Sequence, residues 1–435
     1  MINTRKVAFE ALTKIEKDSA FSNITLDAFL NKYQLDSRDK SFVSALFYGV
    51  IERKITLDYN LSLYLQKPIS KLKPEAIIIF RIGAYQLLYM DKIPSSAAVN
   101  ESVKLAKKYC AYASGLINAV LRKVDKNGLC LPDTDDAAYN LSVKYSCNKW
   151  LCEKWIKEYG YENTVGILSA ASGSPDIFIR VNTTKINEDN LIKALAEEGV
   201  CGEKTYIENA LRITLNGNDI EKLTTYKKGY FHVQDLASQI CVKALDAKEG
   251  ETVFDLCSAP GGKAYTAAEY MKNKGKILCF DKYESRVKLI NDGAARLGLN
   301  IISGSVSDAL VYREELGTAD RVLCDVPCSG TGIIRRKPEI KYKSYEEVDT
   351  LPNIQYAILK NGSKYVKEGG RLIYSTCALS KKENENVCEK FLKENADFIK
   401  VSALPEISEK AFITLMPHIN SSDGFFIACF ERKSD

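Results

Sequence analysis

Two cysteines stand at the ends of apolar stretches that have the character of strands. Cys328 lies in DVPCSG (325–330), directly after the apolar run 321–324, and Cys377 ends the stretch RLIYSTC (371–377). Free cysteines usually serve as small buried apolar groups, which do not need turn positions of this kind. The pair could be a disulfide, a metal site, two core residues or two reacting thiols.

The composition weighs against a disulfide and a metal site. The 435 residues are 46% hydrophobic and 27% charged, as in soluble globular proteins. No apolar run approaches the roughly 20 residues of a membrane span, and residues 1–18 lack an apolar signal core. We therefore expect a cytoplasmic protein, with no membrane association, in a reducing compartment. Thirteen scattered cysteines and two histidines lack the spacing of zinc ligands, so we expect no metal.

Three further acidic residues follow predicted strands. Asp255 ends a strand in ETVFDLC, Asp281 ends KILCFD, and Asp308 follows a short strand. The glycines of SAPGGK (258–263) allow the backbone to approach a ligand closely. An acid at the second strand's tip can accept from ribose hydroxyls, and Asp308 could read an adenine amino group. Each acid alone could be a helix cap. Together they fit an adenosine without polyphosphate, which indicates S-adenosylmethionine.

The elements around these residues predict several domains. Residues 1–130 show apolar positions at helical spacing, and residues 140–245 mix strands and helices. From residue 246 strands alternate with helices, which predicts a doubly wound parallel sheet with ligands at the carboxyl ends of its strands. Residues 1–150 carry a net charge of +7 and the remainder −2. That asymmetry suits a polyanion bound by the first part, although a solvated helical surface would also explain it.

These motifs resemble a known family. DLCSAPGGK (255–263), DVPCSG with the following Thr331, Gly332 and Arg335, and YSTCALSKKENE (374–385) are similar to the motifs of RNA cytosine-C5 methyltransferases. DKSFVSALFYGVI and LINAVLRKV resemble a NusB-like RNA-binding domain. The resemblance covers almost the whole chain and is closest to the RsmB/Sun family, although Ala264 stands where threonine is more usual.

The resemblance implies a multidomain architecture in three parts. An all-α NusB-like domain occupies residues 1–130, and a small α/β linking RNA-binding domain occupies 140–245. A Rossmann-like α/β methyltransferase domain of class I occupies 246–435. It also implies that the partner is 16S ribosomal RNA, and we expect the enzyme to act as a monomer.

The resemblance also implies roles for individual residues. Cys377 would attack C6 of a cytosine and so make C5 nucleophilic, and Cys328 would serve in release of the adduct. Asp325 would hydrogen-bond the N3 and amino edge of the base. Lys263 would lie near the base or the attacking thiol and lower a thiol pKa by its charge. We expect the cofactor to be bound by Cys257, Ser258, Ala259, Pro260, Gly261, Gly262, Lys263, Asp281, Arg286, Asp308 and Asp325.

Three alternative functions remain to be weighed. A P-loop nucleotide hydrolase using Gly261, Gly262 and Lys263 lacks the full motif spacing and the Ser or Thr after the lysine. A non-catalytic RNA-binding or antitermination factor would rely on residues 1–130 alone. A DNA cytosine methyltransferase shares the chemistry but more often carries its nucleophile in a Pro-Cys motif, here at Cys328. The identity of the nucleophile therefore separates the DNA and RNA enzymes.

Overall fold

The computed structural model describes residues 3–18, 22–404 and 410–434. These residues divide into two compact units. The first consists of Met1–Ser172 with Arg336–Ser344, and the second of Gly173–Arg335 with Tyr345–Asp435.

The first unit is built from helices, as the spacing of its apolar residues predicts. Pro74 opens the central helix α5 at the position where its missing N–H is not needed. Gly128 ends α7 with a φ of 68°, which favours glycine. The helices are α1 Thr4–Asp18, α2 Ser22–Tyr33, α3 Ser37–Glu52, α4 Lys54–Ser62, α5 Pro74–Tyr89, α6 Ser95–Tyr109, α7 Ser114–Asn127, α8 Ala137–Tyr145, α9 Lys149–Tyr159 and α10 Tyr161–Ala170.

A segment far along the chain, residues 336–344, packs within this helical unit. Lys341 Nζ donates to the backbone oxygens of Glu52 at 2.8 Å and Tyr145 at 3.2 Å. Tyr342 Oη donates to the oxygen of Ile51 at 2.6 Å. These bonds satisfy carbonyls near the end of α3 and at the end of α8, which lack intrahelical partners. Burial lowers the pKa of Lys341 to about 8, against the opposing influence of Cys147 and Glu52.

The second unit begins with a four-stranded antiparallel sheet in the order β2-β3-β1-β4. Three of its strands follow the predicted apolar alternation, whereas β2 is short, largely exposed and was not predicted. The elements are β1 Ile177–Val181, α11 Glu188–Glu197, β2 Cys201–Lys204, β3 Ala210–Thr214, α12 Thr224–Lys227, β4 Phe231–Val233 and α13 Leu236–Leu245.

The larger sheet of the second unit has the order β10-β12-β9-β8-β5-β6-β7, and β11 pairs with β12. Strands β5 to β9 are parallel, which confirms the predicted doubly wound sheet, and β11 and β12 form an antiparallel pair. The elements are β5 Thr252–Asp255, α14 Gly262–Tyr270, β6 Lys276–Asp281, α15 Glu284–Leu297, β7 Ile302–Val306, β8 Ala319–Asp325, α16 Tyr345–Asp349, α17 Leu351–Ser363, β9 Val366–Thr376, α18 Glu385–Glu394, β10 Phe398–Lys400, β11 Phe412–Leu415, α19 Pro417–Asn420 and β12 Phe425–Arg432.

The order of the parallel strands fixes where a ligand can bind. The chain runs outward from β5 to β6 and β7, then returns to β8 on the other side of β5. A crevice forms at the carboxyl ends of the strands where the order reverses. A buried ion pair joins the small sheet to this region, since Arg180 Nε on β1 lies 3.0 Å from Glu269 Oε2 on α14.

Candidate active site

The two cysteines at the strand ends are neighbours in space. Cys328 Sγ lies 3.0 Å from Cys377 Sγ, and both residues are free and only partly exposed. They meet because β8 and β9 are adjacent parallel strands in which Asp325 is paired with Ser375. Each cysteine lies two or three residues beyond that pair, so both turns leave the sheet at the same edge.

The Cys328 thiol is held in its neutral form. Its pKa is raised well above the usual value by the hydrogen bond with Cys377, by burial, and by the negative charges of Glu383 and Asp325. A protonated Cys328 can donate to the Cys377 sulfur. The hydrogen bond joins the two sulfurs directly, and either thiol can be its donor.

The Thr331–Gly332 pair after DVPCSG holds the Cys377 turn in place. Gly332 N donates to the Cys377 oxygen at 2.9 Å, and Thr331 Oγ1 accepts from Leu379 N at 2.9 Å. A Cβ atom at Gly332 would lie 1.9 Å from the Gly424 oxygen, so only glycine fits there. This close approach gives a physical reason for the Thr-Gly sequence in the motif.

Asp325, at the carboxyl end of β8, is held on both of its oxygens. Lys263 Nζ lies 2.6 Å from Oδ2, and Ser375 Oγ donates to Oδ1 at 2.8 Å. Burial alone would lower the pKa of Lys263, but Asp325 more than offsets it and the pKa is raised. Lys263 is thus a cation at pH 7 that fixes the Asp325 carboxylate. Ser375 was missed from the sequence, and only the strand register would have revealed it.

The crevice beside Asp325 contains buried polar atoms whose hydrogen-bonding capacity is unused within the described part of the chain. Asp255 at the end of β5 is 2% exposed, and among the described residues neither its two carboxylate oxygens nor Ser258 Oγ has a hydrogen bond of normal geometry. Burial raises the pKa of Asp255 to about 7, with a further contribution from Asp325 and opposing ones from Ser258 and Lys263. Unsatisfied buried polar atoms of this kind fit an amine- or hydroxyl-bearing cofactor.

The loop between β5 and α14 is shaped by backbone hydrogen bonds. Ser258 N donates to the Phe280 oxygen at 2.8 Å, and Gly261 N donates to the Ser258 oxygen at 2.8 Å. Gly261 has a φ of 106°, which residues with side chains rarely adopt. Gly262 is the first residue of α14. The loop 257–262 thus opens a helix N-terminus at the edge of the crevice, as the sequence motif predicts.

Asp281 and Arg286 form one arm of the crevice. Arg286 Nη1 lies 3.2 Å from Asp281 Oδ2, and its Nη2 donates to the Ala259 oxygen at 2.9 Å. Asp281 Oδ1 also accepts from Tyr283 N at 3.1 Å. Arg286 therefore ties the end of β6 to the loop after β5. Through the same contacts, Arg286 also holds the Asp281 carboxylate in its orientation.

Asp308 lies just beyond β7, and no α-helix begins there in the described structure. Its Oδ1 accepts from Leu310 N at 3.0 Å and its Oδ2 pairs with Lys282 Nζ at 2.9 Å. The hydrogen bond from Lys282 is the main reason that the pKa of Asp308 is lowered. The carboxylate caps a turn instead of a helix, at the third strand end of the crevice.

Arg335, which belongs to the motif that follows DVPCSG, forms an ion pair with Asp176, with 3.7 Å between Nη2 and Oδ2.

We also searched the described residues for metal sites and for membrane-spanning helices. Within residues 3–18, 22–404 and 410–434, no group of three or more His, Cys, Asp and Glu side chains could hold a metal ion. In the same ranges, no helix combines the length and apolar character that crossing a bilayer requires.

Comparison with known proteins shows which family this chain resembles. A family model described as 16S rRNA methyltransferase RsmB/F matches residues 242–431, NusB matches 2–126, and an RsmF/B-like ferredoxin-like domain matches 147–218. A probable ribosomal RNA small subunit methyltransferase B of Bacillus subtilis is 36% identical over 445 residues, covering 99% of both chains. The chain belongs to the RsmB/F family of 16S rRNA methyltransferases. Membership in RsmB/F makes it an S-adenosylmethionine-dependent rRNA methyltransferase, and confirms the predicted NusB-like, linking and methyltransferase architecture.

Two solved structures have a fold similar to that of this chain. The structure of PH0851 is 28% identical, covers 99% of both chains and has a TM-score of 0.82. The structure of NSun6 from Pyrococcus horikoshii, solved with SFG, an analogue of S-adenosylmethionine, covers 65% of this chain and 97% of its own. At 22% identity and a TM-score of 0.58, it shows a shared fold. The roles of individual residues and the domain boundaries given in the sequence analysis stay predictions.

Proposed function

We propose that this enzyme methylates C5 of a cytosine in 16S rRNA through a covalent bond between Cys377 and C6 of the base. The observation that carries the proposal is the 3.0 Å contact between Cys328 and Cys377 beside Asp325, at the carboxyl ends of β8 and β9. A direct transfer of the methyl group to an atom that is already nucleophilic would need no thiol. Two thiols in contact suit a reaction that forms a covalent adduct and then breaks it.

The first step is attack by Cys377. Its thiolate adds to C6 of the unpaired cytosine, the C5–C6 double bond opens, and C5 becomes a nucleophile. Bound S-adenosylmethionine supplies the electrophilic methyl group that C5 takes up. The base must be unpaired or flipped out of a helix to reach the crevice.

Asp325 is placed to hold and activate the base during attack. Its oxygens already accept from Lys263 and Ser375, but a carboxylate has about four acceptor positions. It can therefore also accept from the amino group of cytosine. Lys263 and Ser375 fix the orientation of the carboxylate before the base arrives, which reduces the reorganisation needed in the transition state.

The second step is release, and we assign it to Cys328. After transfer the C5 proton must leave and the bond between Cys377 and C6 must break. The hydrogen bond with Cys377 is the largest cause of the raised Cys328 pKa. Once Cys377 is bonded to carbon as a neutral thioether, that cause is removed and the Cys328 pKa falls. A larger fraction of Cys328 is then ionised, its own proton passing to solvent, and the thiolate can accept the C5 proton directly or through a water at this stage.

The test is to trap the adduct. Cys328→Ala protein is incubated with 16S rRNA and S-adenosylmethionine, and covalent protein–RNA species are separated under denaturing conditions. We expect an adduct to accumulate, and to vanish in the Cys328→Ala/Cys377→Ala double variant. Cys201→Ala is the matched control, since Cys201 is an exposed free thiol on β2.

The outcomes separate this mechanism from its alternatives. An adduct that forms in Cys377→Ala and requires Cys328 would reverse the two roles and match the Pro-Cys nucleophile of DNA enzymes. Methylated RNA without any adduct in Cys328→Ala would refute the two-thiol mechanism. Bisulfite sequencing of the product then shows whether the modified base is 5-methylcytosine.

A further inference from the structure

Two adjacent buried polar residues hydrogen-bond the turns that carry the two cysteines. Glu383 and Asn384 precede α18 and are 2% and 0% exposed. Burying a carboxylate or an amide is unfavourable unless its polar atoms are hydrogen-bonded. The partners of these two side chains therefore indicate what each of them supports.

Glu383 holds the turn that carries Cys328. Its Oε2 accepts from Ser329 N at 2.9 Å and from Gln355 Nε2 at 3.0 Å. Gln355, which is fully buried on α17, also directs Nε2 to the Pro327 oxygen, 3.0 Å away. The peptide groups on both sides of Cys328 are thus fixed by one connected pair of side chains.

Asn384 holds the turn that carries Cys377 in the same manner. Its Oδ1 accepts from Thr376 Oγ1 at 2.6 Å, and its Nδ2 donates to the Ala378 oxygen at 2.8 Å. Thr376 and Ala378 are the residues on either side of Cys377. Glu383 therefore fixes the turn of Cys328, and the next residue, Asn384, fixes the turn of Cys377.

We propose that Glu383 and Asn384 are positioning residues with divided tasks, in which Glu383, with Gln355, places Cys328 for release and Asn384 places Cys377 for attack. The inference rests on the proposed function, because it presupposes that the two thiols act in different steps. It adds residues whose side chains touch neither base nor cofactor but set the geometry of the thiols that do.

The negative charge of Glu383 also affects the protonation of Cys328. The carboxylate is one of the groups that raise the Cys328 pKa, after the hydrogen bond with Cys377 and burial. A nearby negative charge favours the neutral thiol. The Glu383 charge thus helps to keep Cys328 protonated. Removing the charge while keeping the geometry should let Cys328 act as a base at lower pH.

The experiment measures formation and loss of the covalent adduct separately. Full-length Glu383→Ala and Asn384→Ala are mixed with 16S rRNA and S-adenosylmethionine under single-turnover conditions, and adduct is followed over time. For Glu383→Ala we expect adduct loss to slow about 10- to 100-fold, the size expected for hydrogen bonds to a charged group, with formation changed less than about 3-fold. For Asn384→Ala we expect slower formation and nearly unchanged loss.

Further variants separate positioning from general support of the fold. Glu383→Gln keeps an acceptor for Ser329 and Gln355, so we expect release near the wild-type rate with its pH profile shifted to lower pH. If Glu383→Ala does not fold, Gln355→Met provides the same test. This variant removes the hydrogen-bond donor to the Pro327 oxygen, and we expect it to slow release but not attack. Glu389→Ala, exposed on α18, is the control that should change neither step.

Equal slowing of both steps in both alanine variants would overturn the proposal, since that is the signature of general structural support. Wild-type release in Glu383→Ala, together with a trapped adduct in Cys328→Ala, would overturn the positioning roles but leave the proposed function intact. Methylation without an adduct in Cys328→Ala would instead refute the two-thiol chemistry, and with it the division of tasks.

Discussion

The buried Asp255 carboxylate makes the methyltransferase domain less stable as pH rises, and Asp255→Asn should remove that dependence. The pKa of Asp255 is raised from the usual 3.8 to about 7 in the folded chain, chiefly by burial. The folded state therefore binds the proton more tightly than the unfolded state. The free energy of unfolding should fall as pH rises from about 4 to 7, then level off.

The size of the effect follows from the two pKa values. At 1.36 kcal/mol per pKa unit, the change from 3.8 to about 7 corresponds to about 4 kcal/mol at pH 8. Asp255 is 2% exposed, so solvent screening reduces this figure little. We therefore expect Asp255→Asn to be more stable than wild type by up to about 4 kcal/mol at pH 8, with a much smaller difference at pH 4.

The assay must report on β5 and α14 rather than on the whole chain. The only two tryptophans, Trp150 and Trp155, both lie in α9 of the helical unit, so their fluorescence does not report on this domain. Hydrogen exchange of peptides from β5 and α14, measured between pH 5 and pH 8 in denaturant and corrected for intrinsic exchange rates, gives the local free energy of opening.

The same variant should bind the cofactor more weakly. The Asp255 oxygens lack hydrogen bonds of normal geometry within the described structure, and an asparagine cannot offer two anionic acceptors to a cofactor amine or hydroxyl. We expect about tenfold weaker S-adenosylmethionine binding by calorimetry, the size of one hydrogen bond to a charged group. Equal pH dependence of opening in wild type and Asp255→Asn would refute the buried-acid reasoning.

Two more predictions follow from buried cations. Lys263→Met removes the cation 2.6 Å from Asp325, and we expect kcat to fall about 10- to 100-fold, with a smaller change in cofactor affinity measured by calorimetry. The Lys341 pKa is lowered from 10.5 to about 8, so the unfolded state binds its proton more tightly and the helical unit should gain stability between pH 8 and 10.5. Tryptophan fluorescence during urea unfolding should show that gain in wild type and not in Lys341→Met.

Much of the fold could be predicted from local signals. Helical apolar spacing with a proline start and glycine stops marks α5 and α7, and alternation of strands with helices marks the parallel sheet. The three strand-end acids and the glycine loop could be placed in one crevice, because parallel strands deliver their carboxyl ends to one edge. These features depend on residues close together in sequence.

Other features depend on contacts between distant residues. Strand β2 is short, polar and exposed, so it carries no apolar alternation to mark it. Packing of residues 336–344 among the helices relies on Lys341 and Tyr342 reaching backbone oxygens almost 300 positions away. The separate supports of the two cysteine turns, Glu383 and Asn384, look like any acidic surface segment in the sequence. No local pattern distinguishes such long-range partners.

The register between β8 and β9 links the core of the domain to its chemistry. Cys324 and Tyr374 are paired in this register and fully buried, and the next pair along is Asp325 and Ser375. Successive side chains of a strand point to opposite faces. A slip of one residue would turn Asp325 toward the buried position of Cys324 and separate it from Lys263. The core packing that forbids this slip therefore also fixes the acid, its serine partner and the two thiols beyond them.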